Sequence, residues 1–145
     1  MKVALLKFNF FPTKFVPWER GKMKINNRIG KIGEKLAAEY LEKHGYEIIT
    51  TNFYTKRCEI DIIARKDNEI VFVEVKTRSS DSFGKPVEAV NYFKQKHLYQ
   101  TAKYYMYKKC HELDYIRFDV IEVYIKYGKV KINHINRPIK AERNT

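Results

Sequence analysis

The sequence has few cysteines and no long apolar run, and each of these absences removes a class of protein. Its two cysteines, Cys58 and Cys110, lie far apart, and the four histidines form no zinc-like spacing with them. No zinc site is therefore expected, and so few cysteines are typical of a reducing compartment, which here predicts a cytoplasmic protein. Residues 1–22 are apolar and aromatic, but lysines and prolines interrupt them. We therefore expect neither a signal peptide nor a membrane span.

Acidic residues are also scarce, with 17 Asp and Glu against 29 Lys and Arg and a net charge of +12. A basic protein attracts polyphosphates, because each neutralised phosphate releases condensed counterions. Nucleic acid is thus an expected partner, although ribosome-associated, membrane-surface and merely lysine-rich proteins share such a charge. The 145 residues, 44% of them hydrophobic and without an internal repeat or linker, predict one folded domain.

Hydrophobic periodicity predicts two helices and five strands. The helices are a first one that ends near Gly45 and a second one from Val87 to about Lys109. The expected strands are 46–54, 59–65, 70–78, 115–125 and 129–135, and residues 79–86 are expected to form a loop. This order of elements predicts an α/β or α+β sheet with helices packed against it.

The second and third strands are predicted to form an antiparallel hairpin with residues 67–68 at the turn. Facing residues then sum to 135, so Asp61 faces Glu74 and Glu59 faces Lys76. Glu74 and Lys76 are two residues apart and share one face of the strand. Two carboxylates and an ammonium are therefore expected to converge.

Such a group has a chemical interpretation, because directly opposed carboxylates are destabilising unless a cation or a shared proton lies between them. Mg²⁺ is commonly held by one or two carboxylates together with phosphate oxygens and water, which suits Asp61 and Glu74. Lys76 would then stabilise negative charge that develops during phosphodiester hydrolysis. The alternative is an ordinary solvated sheet face with an exposed Glu59–Lys76 ion pair, which contributes little to stability.

Four segments carry a family resemblance: GKIGEKLAAEYLEKHGY, EIDIIARKDNEIVFVEVKTRS, AVNYFKQKHLYQTAKYY and RFDVI. They resemble the YraN family of small bacterial proteins over residues 28–123. That family is similar to archaeal-type Holliday-junction resolvases and other PD-(D/E)xK nucleases. The resemblance implies an α/β fold, with a restriction-endonuclease-like mixed β-sheet flanked by helices.

The resemblance also implies roles for individual residues. Asp61 and Glu74 would be metal ligands for Mg²⁺ or Mn²⁺, Lys76 the catalytic lysine, and Glu34 an additional catalytic acid. From the residues alone, Glu34 is a glutamate of the first helical turn, favoured there by the helix dipole. The resemblance further implies phosphate contacts for three residues, Thr77, Arg78 and Lys94, whose other interpretation is solvated surface.

Two residues depart from the family pattern, since Cys58 replaces a usual glycine and Tyr54 replaces a common arginine. Residues 1–22 have no counterpart and are expected to be an extension, followed by the nuclease-like domain at 23–137 and a basic tail at 138–145. The sequence thus predicts a metal-dependent endonuclease acting on DNA, with branched, Holliday-junction-like DNA as one candidate substrate. A homodimer is one implied assembly, because resolvases of this fold commonly cut two strands as symmetric dimers.

Two readings of other classes remain open. One is a non-catalytic nucleic-acid-binding or assembly module that keeps the nuclease fold. The other is a basic interaction protein without a nucleic-acid role, whose affinity for DNA would be absent or barely dependent on salt. Binding of divalent metal discriminates the nuclease from the module.

Overall fold

The computed structural model describes residues 26–56, 58–78, 92–109 and 115–136. In chain order the elements of these ranges are α1 (Asn26–Lys43), β1 (Glu47–Tyr54), β2 (Glu59–Lys66), β3 (Glu69–Arg78), α2 (Tyr92–Lys108), β4 (Tyr115–Lys126) and β5 (Lys129–Asn136). The predicted order of two helices and five strands is confirmed. The expected extension 1–22, the loop 79–86, the helix start at Val87 and the tail 138–145 lie outside the described residues.

The five strands form one mixed sheet in the order β1-β2-β3-β4-β5. Three of the four neighbouring pairs are antiparallel, whereas β3 and β4 are parallel and are joined through α2. A parallel pair needs such a crossover connection, which accounts for the second helix between the two strands. The result is an α/β fold consistent with a restriction-endonuclease-like arrangement.

The two helices lie on opposite faces of the sheet. Adjacent side chains of a strand point to opposite faces, and the β3 residues divide accordingly. Val71 and Val73 pack in one buried cluster with Ala37 and Leu41 of α1. Phe72 packs in a second cluster that contains residues of α2, namely Leu98, Ala102, Tyr105 and Met106. β3 is the central strand in the sheet order, and its residues 71–73 are covered by a helix on each face.

The predicted hairpin of β2 and β3 is present, and β4 and β5 form a second one. The turn between β2 and β3 consists of Asp67 and Asn68, and Asp67 has a φ of 52° that Asp tolerates better than most residues. The turn between β4 and β5 places Tyr127 and Gly128 at φ values of 49° and 72°. Positive φ at both central residues matches the right-handed twist of a two-residue hairpin.

A buried ionic network joins the strands near the N-terminal end of β3. The Arg117 guanidinium donates to the Asp119 carboxylate at 3.0 and 2.9 Å, to Glu69 at 2.7 Å and to the Tyr46 hydroxyl at 2.7 Å. His134 lies 2.8 Å from the same Asp119 carboxylate. Each charge has a partner of opposite sign, as buried ions require.

Among the described residues, neither helix has the length and apolar character needed to cross a membrane.

Candidate active site at the ends of β2 and β3

The candidate site lies where β2 and β3 part. Their paired residues run from Lys66–Glu69 to Ile62–Val73, and every pair sums to 135 as predicted. This regular ladder ends one residue before the expected pair of Asp61 with Glu74 and three residues before the expected pair of Glu59 with Lys76. Register arithmetic therefore finds the correct part of the sheet but not the contacts at its end.

A local irregularity in β2 accounts for the end of the ladder. Ile60 packs in the α2 cluster and Ile62 in the α1 cluster, although residues two apart on a regular strand share a face. The alternation of β2 is therefore interrupted at Asp61. The Asp61 carboxylate accepts a hydrogen bond from the backbone N–H of Val75 at 2.7 Å. This bond fixes Asp61 to β3 beside Glu74.

The two predicted metal ligands share a buried environment. Glu74 is 7% exposed, which is not the solvated sheet face of the alternative interpretation. Burial, reinforced by the negative charge of Glu74, raises the pKa of Asp61 to about 7. The hydrogen bond from Val75 acts in the opposite direction but is outweighed. A metal-free site with both carboxylates ionised is thus electrostatically unfavourable, and a cation between them would relieve it.

The predicted catalytic lysine is in place beside these carboxylates. The Nζ atom of Lys76 lies 2.9 Å from Oε1 of Glu74, and its side chain is 27% exposed. The Lys76 ammonium therefore forms an ion pair with Glu74 and remains accessible to solvent. Asp61, Glu74 and Lys76 are brought together as the sequence predicts.

Glu34 reaches the same site from the middle of α1. The interpretation of Glu34 as a glutamate of the first helical turn is wrong, because the helix begins at Asn26 and its first turn contains no acidic residue. Burial raises its pKa, followed by the negative charge of Glu59, and Glu74 contributes in the same direction. The approach of α1 depends on Gly33, where an added Cβ would overlap with the Oγ1 atom of Thr77. Only glycine allows the helix to lie this close to β3. The contact sets the distance between Glu34 and β3.

Three further residues of the site were not predicted as functional. Asn52 of β1, with its amide nitrogen turned toward the acids, donates to Glu59 and to Glu34 at 3.1 Å each. A hydrogen bond to Glu59 is also the main cause of the raised pKa of Tyr54, whose side chain is 64% exposed. The spacing of Glu59 and Asp61 was the one available signal in the sequence.

The three residues predicted to contact phosphate have different surroundings. Thr77 packs against Gly33 and has a structural contact that the sequence does not reveal. Arg78 forms an ion pair with Glu122, which is buried. Lys94 belongs to the first turn of α2, but its side chain lies outside the described residues.

The oxygen donors of the site suit a hard divalent cation. Within the described ranges, no group of three or more His, Cys, Asp or Glu side chains is gathered as a complete metal site. A pair of carboxylates suits Mg²⁺ or Mn²⁺ nevertheless, because such ions keep several waters and take further oxygens from substrate phosphates. The oxygen donors of Asp61 and Glu74 fit this hard-cation chemistry.

Comparison with known proteins places this site in a family. The family model described as "Uncharacterised protein family UPF0102" matches residues 33–123, which include every site residue named above. A UPF0102 protein of Caldicellulosiruptor bescii is 49% identical over 110 residues, 75% of this chain and 92% of its own length. One from Alkaliphilus oremlandii is 50% identical over 113 residues, 77% and 97% of the two chains.

One solved structure shares a weak overall similarity with this chain. The crystal structure of SSO0001 matches 80% of this chain with 18% identity and a TM-score of 0.34, and the chain spans 54% of that structure. The family model, in contrast, covers most of the chain, including the whole of strands β1 to β3. The chain therefore belongs to the uncharacterised protein family UPF0102, the YraN family of the sequence resemblance.

Proposed function

We propose that this protein is a nuclease that hydrolyses DNA phosphodiesters with Mg²⁺ or Mn²⁺, with branched DNA such as a four-way junction as the first substrate to test. The observation that carries the proposal is the pair of neighbouring carboxylates, half-buried Asp61 and buried Glu74, beside an accessible ammonium. A protein of net charge +12 has no stability reason to bury two neighbouring acids there. The surrounding basic charge favours a polyphosphate substrate.

Each residue would have a distinct role. Asp61 and Glu74 would hold the divalent cation, which supplies Lewis-acid stabilisation of a phosphodiester and lowers the pKa of a bound water. Lys76 would donate to the phosphate oxygens, where its charge is worth most as negative charge grows in the transition state. Glu34 would accept a hydrogen bond from the attacking water or from a water on the metal. Asn52 would keep Glu34 and Glu59 in fixed orientations.

The proposal is tested by three substitutions that separate binding from cleavage: Asp61→Asn, Glu74→Gln and Lys76→Ala. Each is expected to reduce cleavage about 10²–10³-fold, the usual cost of losing one electrostatic stabiliser. DNA affinity should change little, because it is spread over many phosphate contacts, and it should even rise for the two acid variants. Asp67→Asn is the matched control, since Asp67 is an exposed acid in the turn of the same hairpin.

The three variants also discriminate the nuclease from a binding module. Asp61→Asn should weaken Mn²⁺ binding measured by calorimetry, whereas Lys76→Ala should not. A parent protein that binds DNA but neither binds Mn²⁺ nor cleaves would favour the module. Variants that fold and cleave like the parent would assign the activity to another site.

A further inference from the structure

A second ionic group lies on β3 and β4 next to the proposed catalytic lysine. Glu74, Lys76 and Arg78 alternate along β3 and therefore share one face. In the parallel register Lys76 pairs with Glu122 and Arg78 with Tyr124. Glu122 is thus the nearest acid on β4 to the end of the catalytic strand.

Glu122 is a fully buried carboxylate with an incomplete set of hydrogen bonds. Its Oε2 accepts from the Tyr124 hydroxyl at 2.9 Å and from the Asn133 amide at 3.1 Å. Its Oε1 has no hydrogen-bond partner among the described residues, and the Arg78 Nε lies 3.5 Å away. Burial of a charge is costly unless an opposite charge compensates it, so Arg78 is the counter-ion of Glu122.

Arg78 is held at one edge only. Its Nε atom is buried against Glu122, whereas the side chain as a whole is 29% exposed. Within the described part of the chain, its two terminal nitrogens form no hydrogen bond. The planar guanidinium presents parallel donors that match a phosphate group. The contact of Nε with Glu122 thereby fixes the orientation of the guanidinium, whose other N–H donors remain available to a ligand.

Holding β3 to β4 does not account for this pair. The two strands already pair over ten consecutive residues, from Glu69–Tyr115 to Arg78–Tyr124. A buried ion pair is in general no more stabilising than apolar residues of the same volume. The position of Arg78 indicates a role in binding, because it lies two residues after Lys76, about 6.6 Å along the strand. Neighbouring phosphates of one nucleic-acid strand are separated on the same scale.

Resting on the nuclease function proposed above, we propose that Arg78 and Glu122 form a phosphate-binding subsite, in which buried Glu122 is the positioning residue that directs the Arg78 fork to the phosphate adjacent to the scissile one. The ligand class is the nucleic-acid backbone rather than a base. Recognition by this subsite is therefore independent of sequence.

The test measures binding of the full-length protein to duplex and four-way-junction DNA in EDTA. Fluorescence anisotropy gives the affinity at several salt concentrations. Arg78→Ala is expected to weaken binding about 10-fold and to reduce the salt slope by about 1. Arg78→Lys should lose most of this affinity although it keeps the charge, because lysine lacks the fork.

Glu122→Gln gives a result whose sign is diagnostic. Removing an acid from a DNA-binding protein ordinarily strengthens binding, and the control Glu47→Gln, an exposed acid of β1, should leave affinity unchanged or higher. A positioning role predicts the reverse for Glu122→Gln, a loss of about 3- to 10-fold. In the Arg78→Ala background the same substitution should cause no further loss, because the two residues act as one unit.

The outcomes separate this inference from the proposed function. If the parent binds and cleaves DNA while Glu122→Gln binds as tightly as the parent or more tightly, the positioning role is wrong and the nuclease proposal stands. If Arg78→Ala binds like the parent, the subsite is wrong. If Glu122→Gln does not fold by circular dichroism, Arg78→Lys decides, and parent-like affinity overturns the proposal. A parent that binds no DNA contradicts both.

Discussion

Replacing Asp61 by Asn should make the metal-free protein more stable, although it destroys the proposed metal site. In the fold, burial and Glu74 raise the pKa of Asp61 to about 7. In the unfolded chain the pKa of an aspartate is about 3.9. The folded protein therefore binds a proton more tightly than the unfolded chain, and the stability linked to this proton is lost as the pH rises from about 4 through 7.

The expected magnitude follows from the two pKa values. Ionising Asp61 in the fold costs about 4 kcal/mol at pH 8, because each pKa unit equals about 1.4 kcal/mol. Asparagine avoids this cost but is a weaker acceptor for the Val75 N–H, since charge-assisted hydrogen bonds are the stronger kind. We expect Asp61→Asn to gain about 1–3 kcal/mol over the parent at pH 8, and nothing at pH 4.

The assay is urea unfolding followed by circular dichroism in EDTA at pH 4 and pH 8. Addition of Mg²⁺ at pH 8 should then reverse the order, because a ligand at 100 times its Kd stabilises the parent by about 2.7 kcal/mol and Asp61→Asn binds it less. Asp67→Asn should show no such dependence on pH or metal. A destabilisation of Asp61→Asn that is the same at both pH values would refute the reasoning, since Asp61 would then only bond Val75.

Three other predictions follow from named contacts. Gly33→Ala should destabilise the protein by about 1–3 kcal/mol in urea unfolding, because the new Cβ would push α1 away from Thr77. The same shift would move Glu34 and slow cleavage. Gly30→Ala, whose Cβ would meet nothing within 4 Å, should instead stabilise the protein by a few tenths to about 1 kcal/mol. Parent-like cleavage by Gly33→Ala would show that the position of Glu34 is unimportant. Arg117→Leu should cost about 3–5 kcal/mol in the same assay, because it leaves Asp119 buried without its main counter-charge; a loss under 1 kcal/mol contradicts the network. Mn²⁺ affinity measured by calorimetry should fall up to about tenfold per pH unit below pH 7, because a proton competes for Asp61, and a flat profile from pH 5 to 8 would exclude Asp61 as a ligand.

Local patterns in the sequence were sufficient for the elements and for most of the register. Alternation along β2 and β3, with a two-residue turn between them, predicts pairs that sum to 135, and the structure has them from Lys66–Glu69 to Ile62–Val73. Turn chemistry and alternation are both local, so a single sequence contains them.

The site itself required information that a regular strand does not contain. The interruption at Asp61 moves this carboxylate to the Val75 N–H and leaves Lys76 beside Glu74 rather than in a regular pair with Glu59. Asn52 was missed because its contact with Glu59 crosses from β1, whose pairing with β2 shifts register between Ile48 and Thr50. Irregularities of this kind depend on packing between elements and are frequent next to active sites.

The nuclease proposal is tested most directly by incubating purified protein with linear duplex, single-stranded and four-way-junction DNA in Mg²⁺, Mn²⁺ or EDTA. We expect cleavage with either metal and none in EDTA, and we expect the Asp61→Asn protein, prepared in parallel, to lose it. A parent that binds these DNAs and Mn²⁺ but cleaves none of them, or whose cleavage persists in EDTA, would contradict the proposal.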